Sequence, residues 1–335
     1  MPRGAAPRWL SVRTLLAVVL GATLGSLLLA QPISLCGGSS AALRMQSVPV
    51  AALVEAFVRA PLPPRARAIS EATPLFFFHQ RKTGGTSLRA ALMHAAAAAN
   101  LTAYVPCFNG LDCDVHHINA TAAVYAGHFA FGEQRVMARQ SRFIDGQWHN
   151  ARLQAACLTG FRDPIARLES CYYYRYIQER DISNPHYQCL NNLSTKELRQ
   201  MFSAGRSIYG HGCLNEPFRV LGGLTDELDL ASLSAPSSMQ GPVLAAAVAM
   251  TLSHLATCVP LVLERPDSLR LARHWFPQLS GAFVALSHNN TGRVERCVLS
   301  ERTRAALADL AVGEQLIYDA ALRRVDVMLA KLPFE

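Results

Sequence analysis

Nine consecutive residues, His79-Gln80-Arg81-Lys82-Thr83-Gly84-Gly85-Thr86-Ser87, bring together two cations, a glycine pair and three hydroxyls. That set suits an oxyanion such as a phosphate. Glycines let the backbone approach an anion, and a following helix presents N–H groups and the positive end of its dipole. Lys82 adds a point charge, and Thr86 and Ser87 add hydroxyl donors. The order is not G-x-x-x-x-G-K-[ST], because Lys82 precedes the glycines instead of following them. The usual Mg-nucleoside triphosphate loop is therefore not indicated. A glycine-rich turn that only starts a helix would have the same composition. A second segment, Arg162-Asp163-Pro164-Ile165-Ala166-Arg167-Leu168-Glu169-Ser170, places Arg162 before a proline-led helix start. Ser170 follows two turns on. A third candidate is His128, next to Gly127. Imidazole is the side chain suited to general base work near neutrality. With eleven histidines present, residue type alone assigns nothing. Position at a strand end favours His128; His116 and His117 are its rivals, and His79 reads as structural.

These residues need a scaffold that presents them at one edge. Leu75-Phe76-Phe77-Phe78 is a continuous apolar run, the signature of a parallel strand buried on both faces. Ala122–Tyr125, Ala155–Gly160 and Val259–Leu263 read as three more strands. Between them lie helical stretches: Ser87–Ala99, Ile165–Gln178, a helix after Arg265-Pro266-Asp267-Ser268, and Ser300–Leu332 with Ser300 as N-cap. Strands alternating with helices predict an α/β domain with a parallel sheet flanked by helices on both faces. Both anion segments then follow strands and start helices. No repeat of solenoid period is present.

The run K-T-G-G-T-S after a strand resembles the 5′-phosphosulfate loop of sulfotransferases that use 3′-phosphoadenosine 5′-phosphosulfate (PAPS). It is most similar to the Golgi carbohydrate sulfotransferases of the heparan sulfate 2-O and 6-O type, which read H-x-x-K-T-G-G-T-[ST]. His79 and Lys82–Ser87 match. The segment from Arg162 to Tyr172 resembles that family's 3′-phosphate site, R-D-P-x-x-R-x-x-S-x-[YW]. Gly127-His128-Phe129 resembles the strand end carrying the family's catalytic histidine. His288-Asn289-Asn290-Thr291 resembles a loop closing over the nucleotide, and Gly313–Ala321 the family's C-terminal helix. The resemblance spans about residues 74–325, in separate patches. It implies a P-loop-like fold and transfer of a sulfuryl group from PAPS to a hydroxyl. In that scheme His128 is the base and Lys82 neutralises the leaving phosphate. Lys82, Thr83, Gly84, Gly85, Thr86 and Ser87 cradle the 5′-phosphate, and Arg162 and Ser170 hold the 3′-phosphate. Asn290 and Thr291 complete the donor site, and the chemistry requires no metal. The implied acceptor is a glycan. A protein or lipid hydroxyl is the alternative, as is a catalytically silent glycan-binding membrane protein of the same fold. Arg135, Arg139, Arg142 and Arg152 could contact an anionic glycan or form a solvated face. Tyr172, Tyr173, Tyr174 and Tyr176 could stack on sugars or pack in a core.

The rest of the chain addresses compartment. Thr14–Ala30 carries no charge and follows Arg3, Arg8 and Arg13. With its flanks it approaches the roughly 20 residues that span a bilayer. Positive charge on the N-terminal side keeps that end cytosolic. The expectation is a cytosolic tail over 1–13, a signal-anchor over 14–31, a stem over 32–73 rich in Pro and Gly, and one lumenal domain over 74–335. A cleaved signal peptide is the alternative. Either directs the domain into the secretory pathway, and the resemblance implies a single-pass type II Golgi membrane protein. Sequons at Asn100, Asn119, Asn192 and Asn289 agree, as do nine cysteines, which an oxidising lumen lets pair. Cys107 and Cys113 form the best local pair. The absence of C-x-x-C removes support for a zinc ribbon. Net charge is +8, which invites a nucleic-acid reading. The N-terminal flank supplies +3 and the stem +2, leaving +3 for residues 74–335. No nucleic-acid partner is expected from so small an excess.

Overall fold

Phe76, Phe77 and Phe78 leave no polar face to solvate, and the strand they form lies at the centre of the sheet with every residue buried. The computed structural model describes residues 49–66, 68–106, 121–131, 141–144, 147–150, 155–178, 183–203, 214–224, 233, 242–284 and 296–333. Its strands are β1 (Leu75–Phe78), β2 (Ala103–Tyr104), β3 (Val124–Gly127), β4 (Ser141–Ile144), β5 (Gln147–Asn150), β6 (Ala156–Phe161) and β7 (Cys258–Val262). Five of them form one parallel sheet in the order β2-β3-β1-β6-β7, while β4 and β5 pair as an antiparallel hairpin. β3 and β7, like β1, are buried at every position. Both faces of the sheet are therefore covered, as an all-parallel sheet requires. The expected α/β class and its four strands are present; β2 and the hairpin were not foreseen.

The helices are α1 (Val50–Arg59), α2 (Gly85–Ala98), α3 (Pro164–Tyr172), α4 (Pro185–Gln188), α5 (Thr195–Ser203), α6 (Glu216–Val220), α7 (Pro242–Leu255), α8 (Ser268–Trp275), α9 (Glu301–Leu310) and α10 (Val312–Leu329). α2 packs on β2, β3 and the 3-10 segment Pro277–Phe283, while α1, α7 and α10 pack on one another. A satellite core joins α3, α5 and α9 through Leu168, Tyr172, Leu198, Phe202 and Leu307. Ser300 caps α9 by accepting from the Thr303 amide. The expected single C-terminal helix breaks at Ala311 into α9 and α10.

The boundary at residue 73 moves. Val50–Arg59, expected in the stem with a turn or two of helix, is a full helix whose Phe57 and Val58 enter the main core. Arg324 of α10 donates to the carbonyls of Val58 (3.0 Å), Ala60 (2.6 Å) and Pro61 (2.6 Å). The Trp275 indole donates to the Pro63 carbonyl at 2.9 Å. Prolines here do not mark a loose tether. They leave carbonyls unpaired by helix or strand, and buried donors of the domain take them.

Cys157 and Cys258 are register partners on β6 and β7 and form a disulfide; Cys189 pairs with Cys297. Cys107 and Cys113 lie outside the described residues, as do Asn119 and Asn289. Asn100 and Asn192 are exposed. Among the described residues no helix is long and apolar enough to cross a membrane. The tail and the expected anchor over 14–31 lie outside them.

Candidate functional site

β1 lies between β3 and β6, and the chain places β2 and β3 on one side of it and β6 and β7 on the other. Successive crossovers therefore leave β1 and β6 in opposite directions. In open α/β sheets such a reversal opens a crevice at the carboxyl ends of the strands. Register sets the ends side by side: Phe78 pairs with Gly127 on β3 and with Thr159 on β6. The residues that follow are His79, His128 and, one pleat beyond, Arg162. The three segments singled out by composition thus meet at one edge.

The loop after β1 is built by its own polar side chains. The His79 amide extends the ladder to the Gly127 carbonyl at 2.8 Å. Gln80 Nε2 donates to the Thr159 hydroxyl (3.2 Å), which donates to the Phe78 carbonyl (3.0 Å). The Thr83 hydroxyl closes the turn on the Gln80 carbonyl at 2.8 Å. Lys82 and Gly84 adopt left-handed backbone, φ 64° and 77°. Gly84 is the N-cap of α2 and offers no side chain to cover the helix start. A Cβ on Gly85 would fall inside the His79 imidazole, so only glycine lets α2 begin here.

The loop is held from behind by a residue that sequence reasoning missed. Glu216 of α6 is fully buried. It accepts from the Arg81 amide (3.0 Å), from the Arg81 guanidinium (3.4 Å) and from Arg219 Nε and Nη2 (3.0 and 2.9 Å). Burial alone would raise its pKa; Arg219 and Arg81 outweigh that and hold the carboxyl well below its ordinary range. Glu216 is 135 residues from Arg81, so no local spacing announces it.

At the end of β6, Asp163 caps α3 by accepting from the Ala166 amide at 2.8 Å, with Pro164 at the first helical position. Arg162 donates to the Lys82 carbonyl at 3.4 Å and joins the two candidate segments directly. Its Nε is buried, makes no hydrogen bond among the described residues, and lies 4.0 Å from Glu264. Glu264 accepts from the Asp163 amide and the Tyr318 hydroxyl, each at 3.2 Å. Arg167 is buried in a two-pronged ion pair with Glu314 of α10, which anchors α3 to the C-terminal helix. Ser170 is buried on α3; no hydrogen bond ties it to the loop among the described residues. Four residues on, the Tyr174 ring lies against the Lys82 ammonium.

His128 Nδ1 lies 2.9 Å from the His79 carbonyl. A carbonyl can only accept, so Nδ1 carries the hydrogen and the neutral ring keeps its lone pair on Nε2. The two imidazoles stack with centroids 4.1 Å apart. Burial pushes the His128 pKa down to about 3, Arg219 and Arg81 adding to it and Glu216 opposing. His79 is pushed well below its usual value, first by burial and then by His128 and Arg89. Its contact with Gly85 and its stacking on Phe77 and His128 agree with a structural role.

The structure therefore brings Lys82, Thr83, Gly84, Gly85, Arg162 and His128 to one edge, with Thr86 and Ser87 in the first turn of α2. Tyr172 and Tyr173 are core residues, whereas Tyr174 is partly exposed. Asn290, Thr291, His116, His117, Arg135, Arg139 and Arg152 lie outside the described residues, as do the side chains of Arg142 and Tyr176. Among the described residues no group of three His, Cys, Asp or Glu is placed to hold a metal. No protein-family model, no curated protein and no solved structure matches the chain.

Proposed function

We propose that the chain is a PAPS-dependent sulfotransferase with a P-loop-like fold that sulfates a glycan hydroxyl in the Golgi lumen. One observation carries the reading: the two candidate anion-binding segments follow adjacent strands at a sheet reversal and are joined by the Arg162–Lys82 hydrogen bond. PAPS presents two separate anionic groups, a 5′-phosphosulfate and a 3′-phosphate. The residues fit that donor. Gly84 leaves the start of α2 uncovered. Arg162 Nε is buried without a hydrogen bond among the described residues, which a 3′-phosphate oxygen would supply. Disulfides in the domain and exposed sequons at Asn100 and Asn192 support a lumenal setting.

In this reading the acceptor oxygen forms a bond to sulfur while the bond from sulfur to the 5′-phosphate oxygen breaks. His128 Nε2 takes the acceptor proton. Lys82 and the amides at the start of α2 stabilise the charge that grows on the leaving phosphate. Arg162 and Ser170 hold the 3′-phosphate and so set the donor's register. Positioning supplies much of the remaining rate.

The test is calorimetric titration with 3′-phosphoadenosine 5′-phosphate, followed by sulfate transfer from PAPS to a panel of desulfated glycans. Saturable binding plus transfer to a glycan supports the reading. Binding with transfer only to protein or lipid hydroxyls moves the acceptor class, and binding with no transfer indicates a silent relative. Absence of nucleotide binding removes the proposal. Lys82→Ala should lower both turnover and nucleotide affinity.

A further inference from the structure

Lys82 has a left-handed backbone at φ 64°, a conformation that non-glycine residues adopt only at a cost. Neighbours on both sides hold it. The preceding Arg81 amide is bound by Glu216, and the Lys82 carbonyl is bound by Arg162. With the backbone fixed, the flexible side chain still needs a direction. Its ammonium lies 3.9 Å from the Tyr174 ring centroid. A cation over an aromatic face is attracted by the ring quadrupole.

The sequence places Tyr174 in a run of tyrosines, yet its environment differs from that of its neighbours. Tyr172 and Tyr173 are buried in the satellite core, while Tyr174 is 37% exposed. The change occurs where α3 gives way to the π-helical segment Tyr173–Gln178. A π turn adds a residue per turn and rotates the chain beyond it. Tyr174 is thus turned out of the core and onto the loop.

We propose that Tyr174 is a positioning residue whose π face holds the Lys82 ammonium at the mouth of the 79–85 loop. The identity of the anion that Lys82 then meets rests on the sulfotransferase reading; the hold on Lys82 does not. A ring face orients an ammonium without itself adding a negative charge.

Two experiments on the full chain separate this inference from the functional reading. The first needs no ligand. Competitive acetylation by acetic anhydride, read peptide by peptide in a mass spectrometer, reports the accessibility and charge state of Lys82 against the other lysines. Tyr174→Leu should raise Lys82 labelling about two- to fivefold, from the strength of exposed cation–π contacts. Tyr174→Phe and Tyr174→Trp should restore the wild-type value, because the contact needs a ring and not the hydroxyl. The second is titration with 3′-phosphoadenosine 5′-phosphate. Tyr174→Leu should weaken binding about two- to fivefold in the wild-type background and leave it unchanged in Lys82→Met. Equal labelling of Lys82 in Tyr174→Leu and wild type overturns the inference, as does a Phe variant that behaves like Leu. An equal loss of affinity with and without Lys82 also overturns it, since that outcome means Tyr174 acts on the nucleotide directly. If the wild-type chain binds no nucleotide, the functional reading falls and the labelling result alone decides the role of Tyr174.

Discussion

His128 offers a test that depends on no assumed substrate. Its folded-state pKa, about 3, lies below the ordinary histidine value of 6.5. As pH falls through 6.5 the unfolded chain takes up a proton at this position and the folded chain does not. Stability is therefore fully present above 6.5 and is lost progressively toward pH 3. At pH 5 the difference amounts to at most about 2 kcal/mol from this residue, the upper bound applying because the ring is only part-buried. The groups facing it do not blur the window. Arg81, Arg89 and Arg219 stay charged, and Glu216 is held below the ordinary carboxylate range. His79 is depressed in the same direction, so wild type loses more than His128 alone accounts for. The perturbation is His128→Asn, whose side-chain amide keeps a donor near the His79 carbonyl but does not titrate. Urea unfolding of the purified wild-type and variant chains at pH 7 and pH 5 gives four stabilities. The drop from pH 7 to pH 5 should be smaller in the variant by up to about 2 kcal/mol. Equal drops in the two proteins would show that His128 titrates normally in the fold, and the burial argument would be refuted.

Two further predictions concern packing. Gly85→Ala places a methyl where the His79 ring stands, between Phe77 and His128. It should cost about 1–3 kcal/mol, the range for overpacking, and weaken nucleotide binding. Gly281→Ala, where no atom lies within 4 Å of the new Cβ, is the control and should change neither; thermal unfolding and calorimetry check both. Arg324→Met removes the donors to Val58, Ala60 and Pro61. It should cost about 2–3 kcal/mol, as expected for bonds to a charged group. Hydrogen exchange of the amides over residues 50–59 should accelerate before that of β1.

The scaffold was legible where a short apolar run had to be a buried strand. Leu75–Phe78 is the clearest case, four consecutive apolar residues, all buried, beside a glycine-containing turn. Legibility failed where tertiary contacts decide. Val50–Arg59 sits among prolines that read as a stem, and core packing of Phe57 and Val58, together with contacts to α7, α10 and the Arg324 and Trp275 donors, all distant in the chain, makes it part of the domain. At the site, the meeting of the two candidate segments at one sheet edge was legible because the features that single them out are local: glycines, a lysine and a helix start in nine residues. Glu216 was not, because a carboxylate that binds the loop from another helix leaves no mark in the spacing. Tyr174 stood in view, but a run of tyrosines does not reveal which ring leaves the core. That depends on the change from α to π winding after Tyr172.

The charge around His128 carries a further consequence for the pH dependence of turnover. Arg81, Arg89 and Arg219 act on the ring, with Glu216 as the opposing carboxylate. Burial first, and then positive charge in excess, disfavour the imidazolium, so His128 is neutral but a weak base. In the proposed reading, an anionic donor bound to the adjacent loop brings negative charge into the same low-dielectric space and opposes the arginines. The His128 pKa then rises toward the range useful to a general base near neutrality. On that reading donor binding and base strength are coupled by charge, and Nε2 becomes effective only when a donor is bound. The profile of kcat/KM for the donor reports the free enzyme, and that of kcat the bound complex. The acid limb of kcat should accordingly lie at higher pH than that of kcat/KM, and both limbs should vanish with the activity in His128→Asn. Coincident limbs would mean that bound charge does not reach His128. A variant with substantial turnover would mean that another group takes the proton.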